Sequence, residues 1–209
     1  MQISRRTILS LVGATALAPS ALAVAPGVSP YSQRSIGSPK APVTAIEYFS
    51  LTCTHCAHFA NATMPEVKPK LVDTGKLQII YRDFPLDAVA LMAAQVARYL
   101  PPDEYYPFIE ALFASQDNWA FVPVTDPSHP PDYKALLYPY AALAGMDQST
   151  YNTAVADQKL RAFILQGQQE AETMYHVNAT PTFIINGKTF QGAMDYTDFA
   201  ATVANAAAA

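Results

Sequence analysis

The stretch Ser50-Leu51-Thr52-Cys53-Thr54-His55-Cys56-Ala57-His58-Phe59 carries the only two cysteines of a 209-residue chain. It follows Val43-Thr44-Ala45-Ile46-Glu47-Tyr48-Phe49, which reads as a strand, and it opens a run toward Asp73 that reads as a helix. Two thiols three positions apart at such a junction have three uses: a metal, a structural bridge, or chemistry. A bridge across three residues closes a tiny loop and constrains the unfolded chain little, which makes a structural staple physically weak. Structural zinc needs four ligands, and His129 and His176 lie far off in unrelated contexts, so no metal site is expected. Redox chemistry fits the spacing. Residues i and i+3 of a helix sit about 5–6 Å apart, inside the range a disulfide requires. Cys53, at the helix start, would meet unpaired backbone N–H groups and the positive dipole end, which stabilise a thiolate. Cys56, one turn further, would be more buried and stay a thiol. Cys53 is therefore expected to attack or be attacked, and Cys56 to resolve the mixed disulfide. His55, between them, is a candidate to stabilise the Cys53 anion further. His58 reads as a solvated helix residue.

Working outward, Val43, Ala45, Glu47 and Phe49 would share one face of the strand. Glu47 is the odd member, and its plain reading is an edge or strand-end position where the carboxylate reaches water. The helix after the cysteines should be bent at Pro65 and closed at Gly75, before a second strand, Leu77-Gln78-Ile79-Ile80-Tyr81. Strand, helix and strand make a right-handed βαβ unit. The pattern then turns helical. The segment from Ala88 to Leu100 is apolar nearly all round. Tyr105, Phe108, Ile109, Leu112 and Phe113 recur at helical spacing, as do Tyr133, Leu136, Leu137, Tyr140 and Ala144 across a kinking Pro139, and Leu160, Phe163, Ile164, Gly167, Ala171 and Met174. β-structure resumes with Thr182-Phe183-Ile184-Ile185 and Lys188-Thr189-Phe190, joined by Asn186-Gly187, a strong hairpin signal. A last amphipathic helix carries Tyr196, Phe199, Ala200 and Val203, with Asp195 as N-cap, and Ala206–Ala209 read as a frayed end. The β parts can share one sheet if the helical block is inserted between them.

The formal charge is −4 with no basic run that could track phosphates, so nucleic acid is not an expected partner. The first residues read as an export signal: basic Arg5-Arg6, an apolar stretch from Ile8 to Ala18 too short to span a bilayer, Pro19, and a small-x-small site at Ala21-Leu22-Ala23. Ser4-Arg5-Arg6 also suits the twin-arginine route. The expected division is an export signal over 1–23, a Pro/Ser/Gly-rich linker over 24–40, a first β-containing part over 41–87, a helical insertion over 88–176 and a second β part over 177–206. An exported chain works in an oxidising compartment, here expected to be a bacterial periplasm.

Three motifs taken together resemble the DsbA family of thiol:disulfide oxidoreductases: Glu47-Tyr48-Phe49-Ser50-Leu51-Thr52-Cys53-Thr54-His55-Cys56, Tyr81-Arg82-Asp83-Phe84-Pro85-Leu86, and Ala179-Thr180-Pro181-Thr182-Phe183-Ile184-Ile185-Asn186-Gly187. The resemblance runs from about Ile36 to Val203. It implies an α/β thioredoxin fold, βαβ plus a β-hairpin and helix, with an inserted all-helical domain. It implies that Glu47, six residues before Cys53, is a buried acid of raised pKa that exchanges a proton with Cys56. It implies a cis Thr180–Pro181 bond packed against the cysteines, with the Thr180 backbone offered to a substrate peptide as an added strand. It also implies a monomer without a cofactor, acting on unfolded exported proteins and reoxidised by a membrane quinone-linked thiol oxidase. Many oxidases of the family carry Pro at the position of Thr54 and Val at that of Thr180; Thr at the latter is common in related isomerases and in some oxidases. The leading expectation is an exported disulfide oxidase. The alternatives are a disulfide isomerase or reductase, and a periplasmic copper or zinc carrier using Cys53, Cys56 and a histidine.

Overall fold

The computed structural model describes residues 29–126 and 128–208, so the export segment expected over 1–23 and the first residues of the linker lie outside the described residues. The frame is a five-stranded sheet of order β1-β3-β2-β4-β5, built from β1 (Arg34–Ile36), β2 (Val43–Phe49), β3 (Leu77–Asp83), β4 (Thr182–Ile185) and β5 (Lys188–Gln191). β2 runs parallel to β3 and antiparallel to β4, so it lies inside the sheet, with Glu47 opposite both Tyr81 and Phe183. The edge reading of Glu47 is thereby overturned: strands flank it on both sides, and it is 3% exposed. Asn186 and Gly187 turn the β4–β5 hairpin with φ of 44° and 81°, and Ile185 pairs with Lys188 across it.

β1 corrects the linker reading of 24–40. Its three residues pair antiparallel with Ile79–Tyr81 at the outer edge of β3. Arg34 is buried, donates to the Arg98 carbonyl at 2.6 Å and lies over the Tyr105 ring. Gly37 ends the strand at φ +87°, where a Cβ would lie 2.5 Å from the Leu77 carbonyl oxygen.

The helical course after the cysteines reaches Val72 as expected, but it is not a plain α-helix. α1 (Thr54–His58) passes into a wide π-segment, Phe59–Thr63, then α2 (Met64–Val67) and a second π-segment, Lys68–Val72. Pro65 and Pro69 cannot donate to the residue four back, and their rings crowd that carbonyl. The i→i−5 bonds from Met64 to Phe59 and from Asp73 to Lys68 widen the turns and absorb both prolines. Among the described residues six helices then stand between β3 and β4: α3 (Ala88–Tyr99), α4 (Pro102–Ala114), α5 (Gln116–Trp119), α6 (Tyr133–Leu143), α7 (Gln148–Ala156) and α8 (Gln158–Tyr175). α9 (Tyr196–Ala207) closes the chain with Asp195 accepting from the Asp198 N–H. It runs further than the frayed end expected from Ala206, because the Asn186 side chain donates to the Ala206 carbonyl.

The sheet separates two apolar layers. Val43, Ala45 and Phe49 join a large core with the Phe59, Phe183 and Phe199 rings, whose centroids lie 4.7–5.5 Å apart. Tyr48 and Ile184 face the other way, against Ala171 of α8, Val177 and Phe84. Met174, expected on the apolar stripe of α8, is 67% exposed near the helix end.

The helical block is tied to the sheet by a buried ion pair. Arg98 Nε donates to Asp83 Oδ2, and Arg98 Nη1 reaches the carbonyls of Pro30 and Ser32 at 3.2 and 3.3 Å. Removing one partner of a buried pair leaves an uncompensated charge, at about 3–5 kcal/mol. Arg98→Met should therefore lower the melting temperature by roughly 6–20 °C for a chain of this size, read by thermal unfolding. A shift within a degree or two would show that water already satisfies Asp83.

Candidate functional site

Phe49 ends β2, the Cys53 N–H donates to the Ser50 carbonyl at 3.0 Å, and α1 begins at Thr54. Cys53 is thus the N-cap of α1, with extended φ and ψ of −84° and 119°. Its sulfur takes the place that a Ser or Asp oxygen takes in an ordinary cap. It accepts from the Cys56 N–H at 3.3 Å, and in the thiol form donates to the Thr180 carbonyl at 3.2 Å. Both cysteines are free; Cys53 is 6% exposed and Cys56 fully buried.

The surroundings split the two thiols. The Cys53 pKa is lowered to about 5, foremost by the hydrogen bond from the Cys56 side chain, with Thr180 and the Cys56 and His55 backbone N–H groups adding to it, against the opposing effect of burial. The Thr180 hydroxyl is buried and makes no hydrogen bond among the described residues; the contact Thr180 makes with the sulfur is through its carbonyl. Cys56 moves the other way, its thiol pushed well up by burial, by the Cys53 sulfur and by Glu47. Glu47 itself is raised to about 8 by burial, then by the nearby Cys53 charge.

The structure thus brings Cys53, Cys56, Glu47 and Thr180 together, and Thr180–Pro181 is cis. His55 is exposed on the first turn of α1; its backbone N–H, rather than an imidazole hydrogen bond, serves Cys53 among the described contacts.

Sequence reasoning missed the braces of this loop. Gln116 Nε2 of α5 donates to the carbonyls of Leu51 and Cys53 at 2.8 and 3.2 Å. Thr52 donates to Asp87 Oδ2 at 2.6 Å, while Asp87 Oδ1 caps α3 through the Ala90 N–H. Ser50 Oγ accepts from the Leu86 N–H at 3.2 Å. The Asp87 cap at the head of an apolar run was the one signal available in the sequence; a solitary Gln in α5 carries none.

A family model described as Thioredoxin matches residues 30–205. The solved structure of Wolbachia pipientis alpha-DsbA1, in a variant with two cysteines replaced by alanine, superposes with a TM-score of 0.75 at 32% identity, covering 85% of this chain and 91% of that one. The chain belongs to the DsbA family. Bacillus subtilis BdbD shares the fold, with a TM-score of 0.70 at 20% identity over 85% of this chain and 94% of that one. A Rickettsia prowazekii protein whose name proposes a protein-disulfide oxidoreductase is 29% identical over 153 residues, 73% of this chain and 53% of that protein. The chain therefore spans about half the length of the curated relatives it matches. The thioredoxin-like sheet of this DsbA-family chain accounts for both apolar layers described above.

Two variants test the charge separation. Thr180→Val removes a buried hydroxyl from beside the sulfur and should raise the Cys53 pKa, read by thiolate absorbance. An unchanged titration would take Thr180 out of the account. Glu47 has a folded pKa raised from its ordinary 4.5 to about 8. A raised acid contributes stability that is fully present below pH 4.5 and lost as pH rises through about 8, at ~1.4 kcal/mol per pH unit. The stability of Glu47→Gln relative to the reduced parent protein should thus climb across that window and level off above it. A difference independent of pH would show that Glu47 is ionised throughout.

Proposed function

We propose that this chain is an exported protein disulfide oxidase that donates a Cys53–Cys56 disulfide to newly exported, unfolded proteins in a bacterial periplasm. The observation that carries the proposal is the sulfur of Cys53 capping α1 with its pKa lowered to about 5. A client thiolate attacks Cys53 Sγ, the S–S bond breaks, and Cys56 leaves as a thiolate. Cys56 takes a proton from the neutral Glu47 carboxyl. A second client thiolate then attacks the client sulfur of the mixed disulfide and releases Cys53 as the stabilised thiolate. The client loses two electrons and the cysteine pair gains them. A membrane quinone-linked thiol oxidase takes them back, and the chain works as a monomer.

His55 adds positive charge beside the sulfur when protonated. The Thr180 backbone pairs with the client as an added strand. Leu86, 54% exposed beside Ser50, and Phe121, 43% exposed just after α5, offer apolar contacts that a compact, folded client could not match.

The magnitude follows from the pKa. At pH 7 a thiol of pKa about 5 favours the reduced form by about 2.7 kcal/mol over an unperturbed one. A thioredoxin-type pair, with pKa near 7, sits at about −270 mV. Conversion at ~30 mV per 1.4 kcal/mol puts this pair at roughly −220 mV or more oxidising. Equilibration with glutathione measures it, and a potential at or below about −270 mV would mark a reductant. In its native compartment, Cys56→Ser should accumulate clients disulfide-linked to Cys53, formed when the Cys53 thiolate attacks a client disulfide and left unresolved without the Cys56 thiol. A folded, exported variant that traps none would remove the oxidase reading.

A further inference from the structure

The shuttle described above returns Glu47 to solvent equilibrium in each half-cycle, yet Glu47 is 3% exposed and Cys56 fully buried. Loss of the Glu47 proton to Cys56 leaves a carboxylate that must take up H⁺, and reoxidation of the pair must export one. A buried acid that turns over needs a route for that proton.

The structure holds one beside Glu47. A cavity of about 10 Å³ is lined by Glu47, Tyr81, Tyr106 and Glu110, with apolar Phe59 and Phe113 completing much of its wall. That volume suits a single water molecule. The Tyr81 hydroxyl is buried without a hydrogen-bond partner among the described residues, and Tyr81 lines the cavity together with Glu47. The Tyr106 ring stacks on Tyr81 with centroids 5.9 Å apart. Tyr106 is only half-buried, and its hydroxyl donates to Glu110 Oε1 at 3.4 Å. Glu110 is exposed on the outer face of α4. From Glu47 to Glu110 the groups pass from buried to half-buried to exposed, and all three line one water-sized space.

We infer that Tyr106 and Glu110 form the proton channel of Glu47: Glu110 collects a proton at the surface, and the Tyr106 hydroxyl relays it through the water-sized space to the Glu47 carboxylate. No electrons move in this step. One O–H bond breaks at each relay oxygen as another forms, and the flow reverses when the cysteine pair is reoxidised. The inference rests on the shuttle role given to Glu47 above. The titratable groups facing the route are Glu47 on β2, Tyr81 on β3, Tyr105, Tyr106 and Glu110 on α4, and Asp73 after the second π-segment. The Cys53 sulfur acts on Glu47 from the other side.

The test follows the Glu47 carboxyl by time-resolved infrared spectroscopy after photorelease of protons in the reduced protein, with Glu47→Gln assigning the band. Tyr106→Phe keeps the ring and removes the relay; it should slow protonation of Glu47 by about 10²-fold. Added imidazole at constant pH, a small proton carrier, should restore part of the lost rate. Glu110→Gln, on the surface, should slow it in the same direction by less. The equilibrium midpoint of the band should stay close to that of the parent protein in both. Parent-like rates in both variants would overturn the inference, as would slowing that imidazole does not relieve, which marks a packing defect. The measurement needs no client, so failure to trap clients through Cys56→Ser would remove the oxidase reading and leave this result standing. The converse outcome would remove the channel alone.

Discussion

Everything distinctive about this protein depends on one substitution of atoms, a sulfur standing where a helix cap ordinarily places an oxygen. At the start of α1 the Cys56 N–H reaches the Cys53 sulfur, with the Cys56 side chain and the Thr180 carbonyl beside it. A helix N-terminus favours negative charge within its first turn. The sulfur is therefore more stable as an anion than bound to a second sulfur would allow, and the energy that would protect the disulfide is spent instead on its reduced product.

That choice constrains the neighbours. A thiolate near the buried core discourages a second negative charge, and Glu47 is kept neutral into the alkaline range by burial and by that charge. Cys56 is held as a thiol for the same reasons. One anion and two neutral acids share a small volume, and their order of ionisation is fixed by depth and by backbone donors. The braces from Gln116 and Asp87 come from the helical insertion and its leading cap, so the geometry of the Cys53 cap is set jointly by the sheet and by helices far along the chain.

What was legible in the sequence is what short-range chemistry decides. The cysteine spacing, the Asn186-Gly187 turn and the Asp195 cap each act within a few residues, and each lies where its pattern put it. The face carrying Glu47 was readable from alternation; its burial was readable only through the family resemblance, because it depends on β4, which arrives more than 130 residues later in the chain. β1 went unseen since three residues cannot show a period, and its hold comes from Arg34 reaching the Arg98 carbonyl. Gln116 was invisible because its partners are backbone carbonyls that only the fold brings near. The π-segments arise from Pro65 and Pro69 acting within one helix, where the bend expected at Pro65 is absorbed by wider turns.

The most direct measurement is the ultraviolet absorbance of the reduced protein as a function of pH, which counts thiolates. A single cysteine ionising with a midpoint near pH 5, while the second stays protonated well into the alkaline range, is the result this account predicts. A first midpoint at about pH 8.5, the value of an unperturbed cysteine, would contradict it.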